Sequence, residues 1–192
     1  LLDYKTGNTV QQHLLKRHLD FKRLNGPKAS LNSPQIALSF EFNNVYTGGK
    51  REAHPSRATK LPPLSFPLIQ TDRGGQITYH GPGQLVCYFI WDLFNWSNLS
   101  SRCFVSMLEN SLVTSVESTG LQGVCKTKDT GVWVQKGLGF EKICSLGLNI
   151  KRNITSHGIS MNVSPQLKYL NNPELVICGL EGKSQTSLEH CG

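Results

Sequence analysis

The sequence predicts an α+β fold: a single domain with a mixed, largely antiparallel sheet flanked by helices. Strand-like runs come in groups punctuated by separate helical stretches, which argues against a doubly wound parallel sheet. Turn signals at Lys136-Gly137 and at Asn153 join neighbouring runs of the second group as hairpins. The 192 residues suit one domain with a sizeable core, and no internal repeat divides residues 1–192.

Asn8 is placed to cap a helix over about residues 9–24, with Val10, Leu14, Leu15, Phe21 and Leu24 as an apolar stripe and Asn25-Gly26-Pro27 as its stop. Residues 36–46 read as a strand ending at Thr47-Gly48-Gly49-Lys50, with a Pro- and Lys-containing loop running on to about Pro67. Three strands follow at 68–72, 76–79 and 84–93. The last is almost wholly apolar and is expected to be central and buried on both faces. A second helix spans about 101–119, with Phe104, Met107, Leu108, Leu112 and Val116 on one side and Gly120 as its stop. The second strand group occupies 124–126, 131–135, 142–151 and 158–163. A helical turn at 165–170, the apolar Val176-Ile177 entering Cys178-Gly179, and a helix start at 184–189 complete the chain.

Composition narrows the class. Hydrophobic residues make up 38% and charged ones 17%, ordinary for a globular protein, and no apolar run approaches the roughly 20 residues of a membrane helix. The formal charge of +7 comes from 20 basic and 13 acidic residues, with short basic clusters at Lys16-Arg17, Lys22-Arg23, Lys50-Arg51 and Lys151-Arg152. Such a surface favours an acidic partner. No zinc finger, RNA-binding signature or basic helix with interleaved aromatics supports nucleic acid in that role. Six cysteines, at 87, 103, 125, 144, 178 and 191, form no CxxC pair, so a zinc site is not expected and most of the thiols should be small buried hydrophobes. The N-terminus carries no recognisable targeting sequence.

Chemistry is concentrated in a few segments. Asp72-Arg73-Gly74-Gly75-Gln76-Ile77-Thr78-Tyr79-His80-Gly81-Pro82-Gly83-Gln84 is polar and glycine-punctuated, the composition of a loop whose backbone N–H groups can approach a ligand. Cys178, between an apolar run and Gly179, is the best candidate nucleophile, and a thiol needs a neighbour that favours its thiolate. Neither His80 nor His157 sits in a cysteine-protease signature. Lys142, in Glu141-Lys142-Ile143-Cys144-Ser145-Leu146-Gly147, is the other possible activator. Strand alternation sets it opposite Ile143 and Ser145, where it is either a solvated edge residue or a buried base.

Taken together, these segments resemble the lipoyl(octanoyl) transferases, which move an octanoyl group from acyl carrier protein to lipoyl domains. The similarity is carried by residues 73–84, by Lys142-Ile143-Cys144-Ser145-Leu146-Gly147-Leu148, by His157-Gly158-Ile159-Ser160-Met161-Asn162-Val163, and by Ile177-Cys178-Gly179 with Thr186-Ser187-Leu188. Val45-Tyr46-Thr47-Gly48 and Thr130-Gly131-Val132-Trp133-Val134 extend it over most of the chain from about residue 34.

The resemblance implies a fold shared with biotin and lipoate ligases and one catalytic acyltransferase domain. It assigns Cys178 as the acyl-accepting nucleophile and Lys142 as the residue that tunes it and moves protons. It assigns Arg73, Gly74, Gly75, Gln76, Ile77, Thr78, Tyr79, His80, Ser145, Leu146, Gly147, Gly158, Ile159 and Ser160 to the substrate site, and leaves Cys144 structural. Backbone N–H groups near Cys178-Gly179 and Gly74-Gly75, with His80, are the oxyanion candidates, and small Gly147 and Gly158 are expected to open an acyl slot.

Thioester exchange followed by amide formation runs downhill, so the resemblance implies no cofactor, no metal and no ATP. It also implies octanoyl-acyl carrier protein as donor, lipoyl domains of 2-oxoacid dehydrogenases and the glycine cleavage H protein as acceptors, no nucleic acid or membrane partner, and a monomer. Eukaryotic relatives work in mitochondria, with the bacterial cytoplasm as the alternative. Lys50, Arg51, Lys151 and Arg152 are candidates for a basic rim. The chain departs from its relatives at Gly49-Lys50 and in the longer turn before Lys142, and relatives continue past Leu188, so a terminal helix is expected to be only partly represented. Rival readings are an ATP-dependent lipoate-protein ligase, a lipoyl amidotransferase, and a non-catalytic binding protein for acyl carrier protein or nucleic acid.

Overall fold

A computed structural model describes residues 1–26, 34–51, 64–96, 99–173 and 183–192. Cys178 and its neighbours, and most of the loop expected before Pro67, lie outside the described residues.

Helix α1 runs over Tyr4–Asn25, more than a turn longer at its start than Asn8 suggested. Asp3 is the cap: its carboxylate accepts the Lys5 N–H at 2.8 Å. Gly7-Asn8 looks like a breaker in sequence, yet Gly7 is inside the helix because a Cβ there would lie 2.7 Å from the Phe42 ring. The buried face is Tyr4, Gly7, Gln11, Leu15 and His18, whereas Val10, Phe21 and Leu24 of the expected stripe are exposed. Leu15 packs with Ile90 and Ile154, and Tyr4 with Phe42, Val45, Val86 and Tyr88. Lys22, in the last turn, anchors the helix end by donating to Asp92 at 2.8 Å and to the Arg152 carbonyl at 2.8 Å.

The expected strand over 36–46 is two strands in two sheets. β1 (Ile36–Phe40) belongs to the larger sheet and β2 (Val45–Gly48) to the smaller. Between them Phe42 bridges to Leu2, with the Leu2 N–H on the Glu41 carbonyl and the Asn43 N–H on that of Leu2, so the N-terminus covers the crossover. β3 (Leu68–Gln70) lies parallel to β2, and β4 (Thr78–His80) lies antiparallel to its other edge. Among the described residues, the parallel pairing between named strands lies in this small sheet, and isolated parallel bridges join Leu2 to Phe42 and Lys142 to Gln185.

The larger sheet has the order β1-β5-β9-β8-β7-β6, with β5 (Gln84–Ile90), β6 (Val124–Cys125), β7 (Val132–Lys136), β8 (Gly139–Lys151) and β9 (Ile154–Asn162). Every neighbouring pair is antiparallel. β5 is interior to the sheet, as expected, but not buried on both faces: Leu85 is exposed and burial alternates along the strand. The β8–β9 turn uses Arg152 and Asn153 at φ 52° and 66°, the left-handed pair that suits a tight hairpin between twisted strands.

Helix α2 (Ser101–Glu117) is capped by Ser100, whose hydroxyl accepts from the Cys103 N–H at 3.1 Å. Phe104, Leu108, Leu112 and Val116, one per turn as the spacing predicts, close the main core against Val124, Val132, Val134, Ile143, Cys144 and Ile159. Two single-turn helices, α3 (Leu167–Leu170) and α4 (Leu188–Cys191), follow β9. No described helix is long and apolar enough to cross a membrane.

Candidate functional site

A cavity of about 540 Å³ lies where the residue 72–76 loop meets the second half of β8. β7 pairs with β8 only as far as the Val132–Cys144 pair. Beyond that pair the loop meets β8, the Gly74 N–H donating to the Leu148 carbonyl at 2.8 Å. Of the expected substrate residues, Arg73, Gly74, Gly75, Gln76, Thr78, His80, Ser145, Leu146, Gly147, Gly158, Ile159 and Ser160 all line the cavity.

Ile77 and Tyr79 do not. β4 alternation sends Thr78 and His80 to the cavity and turns its neighbours to a separate aromatic cluster with Tyr46 and Leu170. There the Tyr79 hydroxyl donates to Asn44 Oδ1 at 2.6 Å, and burial pushes its pKa up to about 12.

Arg73 is a brace for the loop. It is buried, and its guanidinium donates to the Thr47 carbonyl at 2.6 Å, to Thr47 Oγ1 at 2.8 Å and to the Gly74 carbonyl at 3.0 Å. A Cβ on Gly147 would lie 3.1 Å from Arg73 Cδ and 3.2 Å from the Gly74 oxygen. One on Gly158 would overlap the Cys87 carbonyl of β5. Both glycines border the cavity, and their smallness also lets Arg73 and the Gly74 carbonyl approach β8 and the Cys87 carbonyl approach β9.

His80 is buried beside the cavity with Nδ1 2.6 Å from Gln84 Oε1. Burial above all, helped by the positive charge of Arg73 and by His157, holds its pKa down to about 3. An amide oxygen accepts, so Nδ1 carries the hydrogen of the neutral ring and Nε2 is an acceptor. In that tautomer His80 has no N–H left for an oxyanion, against the expectation. Gln84 instead continues a chain of side-chain amides, donating to Asn162 Oδ1 at 2.9 Å, and Asn162 donates to the Thr186 carbonyl at 2.9 Å.

His157 was not among the expected site residues, although it stands in a matched segment. It lines the cavity at φ 57°, a left-handed conformation that turns its ring away from the α2 core in which Ile159 packs. The ring sits 2.7 Å from Asp72 Oδ1, and the His157 N–H donates to Gln11 Oε1 of α1 at 2.5 Å. Asn149 donates to the other Asp72 oxygen at 2.7 Å. The Asp72 carboxyl is held below its usual value, chiefly by the His157 hydrogen bond.

Lys142 is buried in the cavity wall, not on a solvated edge. Simple alternation fails there because Val132 faces Cys144 while Trp133 faces Lys142, leaving Ile143 as the extra residue of a β-bulge. Ile143 and Cys144 therefore both enter the main core, and the Lys142 ammonium donates to the Thr130 carbonyl at 2.8 Å, 4.7 Å from the centre of the Trp133 ring. Gly131 makes room: a Cβ there would fall 2.9 Å from Lys142 Cε and 2.7 Å from the Cys144 carbonyl. The returning chain pairs with this position, the Lys142 N–H donating to the Ser184 carbonyl and the Thr186 N–H to the Lys142 carbonyl. Cys144, one residue past the bulge, is a buried thiol whose pKa burial pushes up to about 12, an inert structural group.

Lys128, Asp129 and Thr130, with Val86 and Tyr88 of β5 and Ser101 and Val105 of α2, also line the cavity and were missed. Among the described residues no group of three or more His, Cys, Asp or Glu is arranged to hold a metal.

The model of the lipoyl protein ligase A/B catalytic domain matches residues 8–189. Among curated proteins the chain is 33% identical over 238 residues to the mitochondrial octanoyltransferase of Kluyveromyces lactis, covering 97% of this chain and 70% of that protein. It is 37% identical over 189 residues to the octanoyl-(acyl-carrier-protein):protein N-octanoyltransferase LIPT2, mitochondrial, of Danio rerio, covering 97% and 77%. The octanoyltransferase of Christiangramia forsetii is 34% identical over 191 residues, covering 97% and 80%. Among solved structures, a bipartite lipoate protein ligase of Thermoplasma acidophilum superposes with a TM-score of 0.58 at 16% identity, covering 85% of this chain and 60% of that one. Lipoate-protein ligase A bound with ATP gives 0.57 at 15%, covering 86% and 66%, and at this identity both establish the fold alone. With the family model spanning most of its length and these relatives above 30% identity, the chain belongs to the lipoyl protein ligase A/B catalytic-domain family and, within it, to the octanoyltransferases, an acyltransferase enzyme.

Proposed function

We propose that this protein moves an octanoyl group from octanoyl-acyl carrier protein to a lysine of a lipoyl domain, through a thioester on Cys178. The observation that carries the reading is the buried Lys142 amino group in the cavity wall, aimed by a bulge and backbone-paired to residues 184–186, where the chain returns from the Cys178 segment. The near flank of that segment is tied to the same place: Asn171 donates to the Gln185 carbonyl at 2.9 Å and accepts the Gln185 N–H at 2.7 Å.

The chemistry balances with these two residues. Neutral Lys142 takes the Cys178 proton, and the thiolate attacks the thioester carbonyl. The carrier's thiolate leaves and takes the proton from Lys142. The neutral amine of the acceptor lysine then attacks the acyl-cysteine, Lys142 accepts the proton released as the amide forms, and the Cys178 thiolate departs to be reprotonated. The branched and aliphatic lining of Val86, Val105, Leu146, Leu148, Ile150 and Ile159 suits a straight acyl chain. The LIPT2 relative bears acyl carrier protein and protein acceptor in its name, which supports the donor and acceptor classes. The lipoyl domains of 2-oxoacid dehydrogenases and the glycine cleavage H protein are the acceptors proposed, with the chain acting as a monomer. A mitochondrial location is supported by relatives so named in two yeasts and in zebrafish, and fractionation of cells expressing the protein tests it.

The deciding experiment incubates the protein with octanoyl-acyl carrier protein, without ATP, and measures intact mass. An octanoyl adduct that is absent in Cys178→Ser supports the reading. A protein that acquires and passes on octanoate only when free acid and ATP are supplied is a ligase instead. Lys142→Ala slows both half-reactions by about 10²–10⁴-fold.

A further inference from the structure

Asp129, Lys183 and Trp133 form a second layer behind Lys142. Trp133 is fully buried and donates its indole N–H to the Asp129 carbonyl at 3.0 Å. The Lys142 ammonium lies 4.7 Å from the centre of its ring and the Lys183 ammonium 5.1 Å from the same centre, so the two cations are at most about 10 Å apart. Lys183 closes the layer with an ion pair to the Asp129 carboxylate, both side chains about one-third exposed. The next residue, Ser184, accepts the Lys142 backbone N–H at 3.0 Å, so Lys183 is covalently adjacent to a residue paired with Lys142.

We propose that Asp129 and Lys183 are positioning residues that, through the indole both lysines share, hold Lys142 in place and set its charge state for the transfer reaction. The inference rests on the proposed role of Lys142 in that reaction.

The physical reason is the balance of charge around one ammonium. Asp129 favours the protonated form of Lys142; Lys183 opposes it directly and also occupies the Asp129 carboxylate. Coupling between Asp129 and both lysines is felt at the carboxyl too, which Lys183 first, and Lys128 and Lys142 more weakly, hold below its usual value. Among the described residues, the other charged or titratable groups near this layer are Lys128, Arg73, His80 and His157 on the cavity wall; Glu109 of α2, which accepts the Gly131 N–H at 2.9 Å; and Glu141, which accepts from the Ser184 hydroxyl at 2.8 Å. Lys183 is joined to the residue 128–130 loop by its ion pair and lies over the same ring as Lys142.

The arrangement makes predictions of opposite sign for the two partners. In Lys183→Met a like charge is lost and Asp129 is released, so Lys142 holds its proton to higher pH. In Asp129→Asn the countercharge is lost, and Lys142 gives up its proton at lower pH. Lys183→Arg keeps the charge and should match the parent protein. A residue that merely supported the fold would lower activity in both variants without separating them.

The test measures the pH dependence of Lys142 labelling by an amine-reactive reagent, read by peptide mass spectrometry on the full chain without acyl donor. In parallel, the pH profile of octanoyl transfer is recorded. Expected are labelling midpoints displaced by about half a pH unit or more in opposite directions for Asp129→Asn and Lys183→Met, with Lys183→Arg at the parent value and the transfer profiles moving in the same sense. Unmoved midpoints, or two displacements of the same sign, overturn the proposal. Failure of the parent protein to take up octanoate overturns the transfer reading alone, because the labelling midpoints are read without it.

Discussion

His157 of β9 holds Asp72 at the entry to the glycine-rich loop through a 2.7 Å contact, and Gln11 of α1 fixes the His157 backbone from behind at 2.5 Å. Three elements distant in sequence thus meet at one left-handed residue. The polar Gln11 is fully buried on the helix face, and its side-chain oxygen is satisfied by the His157 N–H.

This pair makes stability depend on acid pH. Since the Asp72 pKa is lowered on folding, its stabilisation is fully present above about pH 3.8 and is lost as the pH falls through the lower folded value. Asp72→Asn should have a flatter decline in Tm than the parent below about pH 4, and the side chain is half-exposed, so the difference is modest. Melting curves that stay parallel across that window contradict the pairing.

His80 adds a second acid dependence with its own window. Its folded pKa of about 3 lies below the ordinary 6.5, so the unfolded chain binds a proton that the folded one refuses. The contribution to folding is complete above about pH 6.5 and shrinks steadily toward about pH 3. The His80 ring resonances should not titrate between about pH 8 and pH 5 in the folded protein. A midpoint near 6.5 would place a charged imidazole beside Arg73 and refute the neutral, Gln84-bonded ring.

Gly131→Ala separates crowding from backbone strain. At φ 130° any side chain costs on the order of 1–3 kcal/mol, and here the new methyl also meets Lys142 Cε. Displacing that ammonium should reduce octanoyl transfer by about 10²-fold beyond the loss of stability. Gly137→Ala, at φ 58° with nothing within 4 Å of the added carbon, supplies the strain-only control. Equal transfer rates in the two variants, after correction for folded fraction, would show that Gly131 does not make room for Lys142.

The cysteines should differ sharply in reactivity. Cys103 is exposed, whereas Cys144 is buried with a pKa pushed up to about 12. Iodoacetamide at about pH 8 should modify Cys103 in the native protein and Cys144 only after unfolding. Native labelling of Cys144 would reopen its assignment as structural.

Much of this was legible because it is local. The α2 face repeats once per turn from Phe104 to Val116, the Arg152-Asn153 turn has hairpin chemistry, and residues 73–84 declare a loop by their glycines. The errors share one cause. The start of α1, the break of the expected 36–46 strand at Phe42 and the bulge that interrupts alternation beside Lys142 are all set by residues far away in sequence.

By itself the sequence determined the α+β class and the family-bearing segments, and it proposes Cys178 and Lys142 as thiol and lysine partners. Those rest on periodicity, turn chemistry and contiguous motifs, which a linear chain carries directly. Only the tertiary structure decided which side chains serve the cavity. A one-residue bulge at Ile143 and a left-handed φ at His157 each redirect side chains across the sheet, and alternation along a strand contains no sign of either.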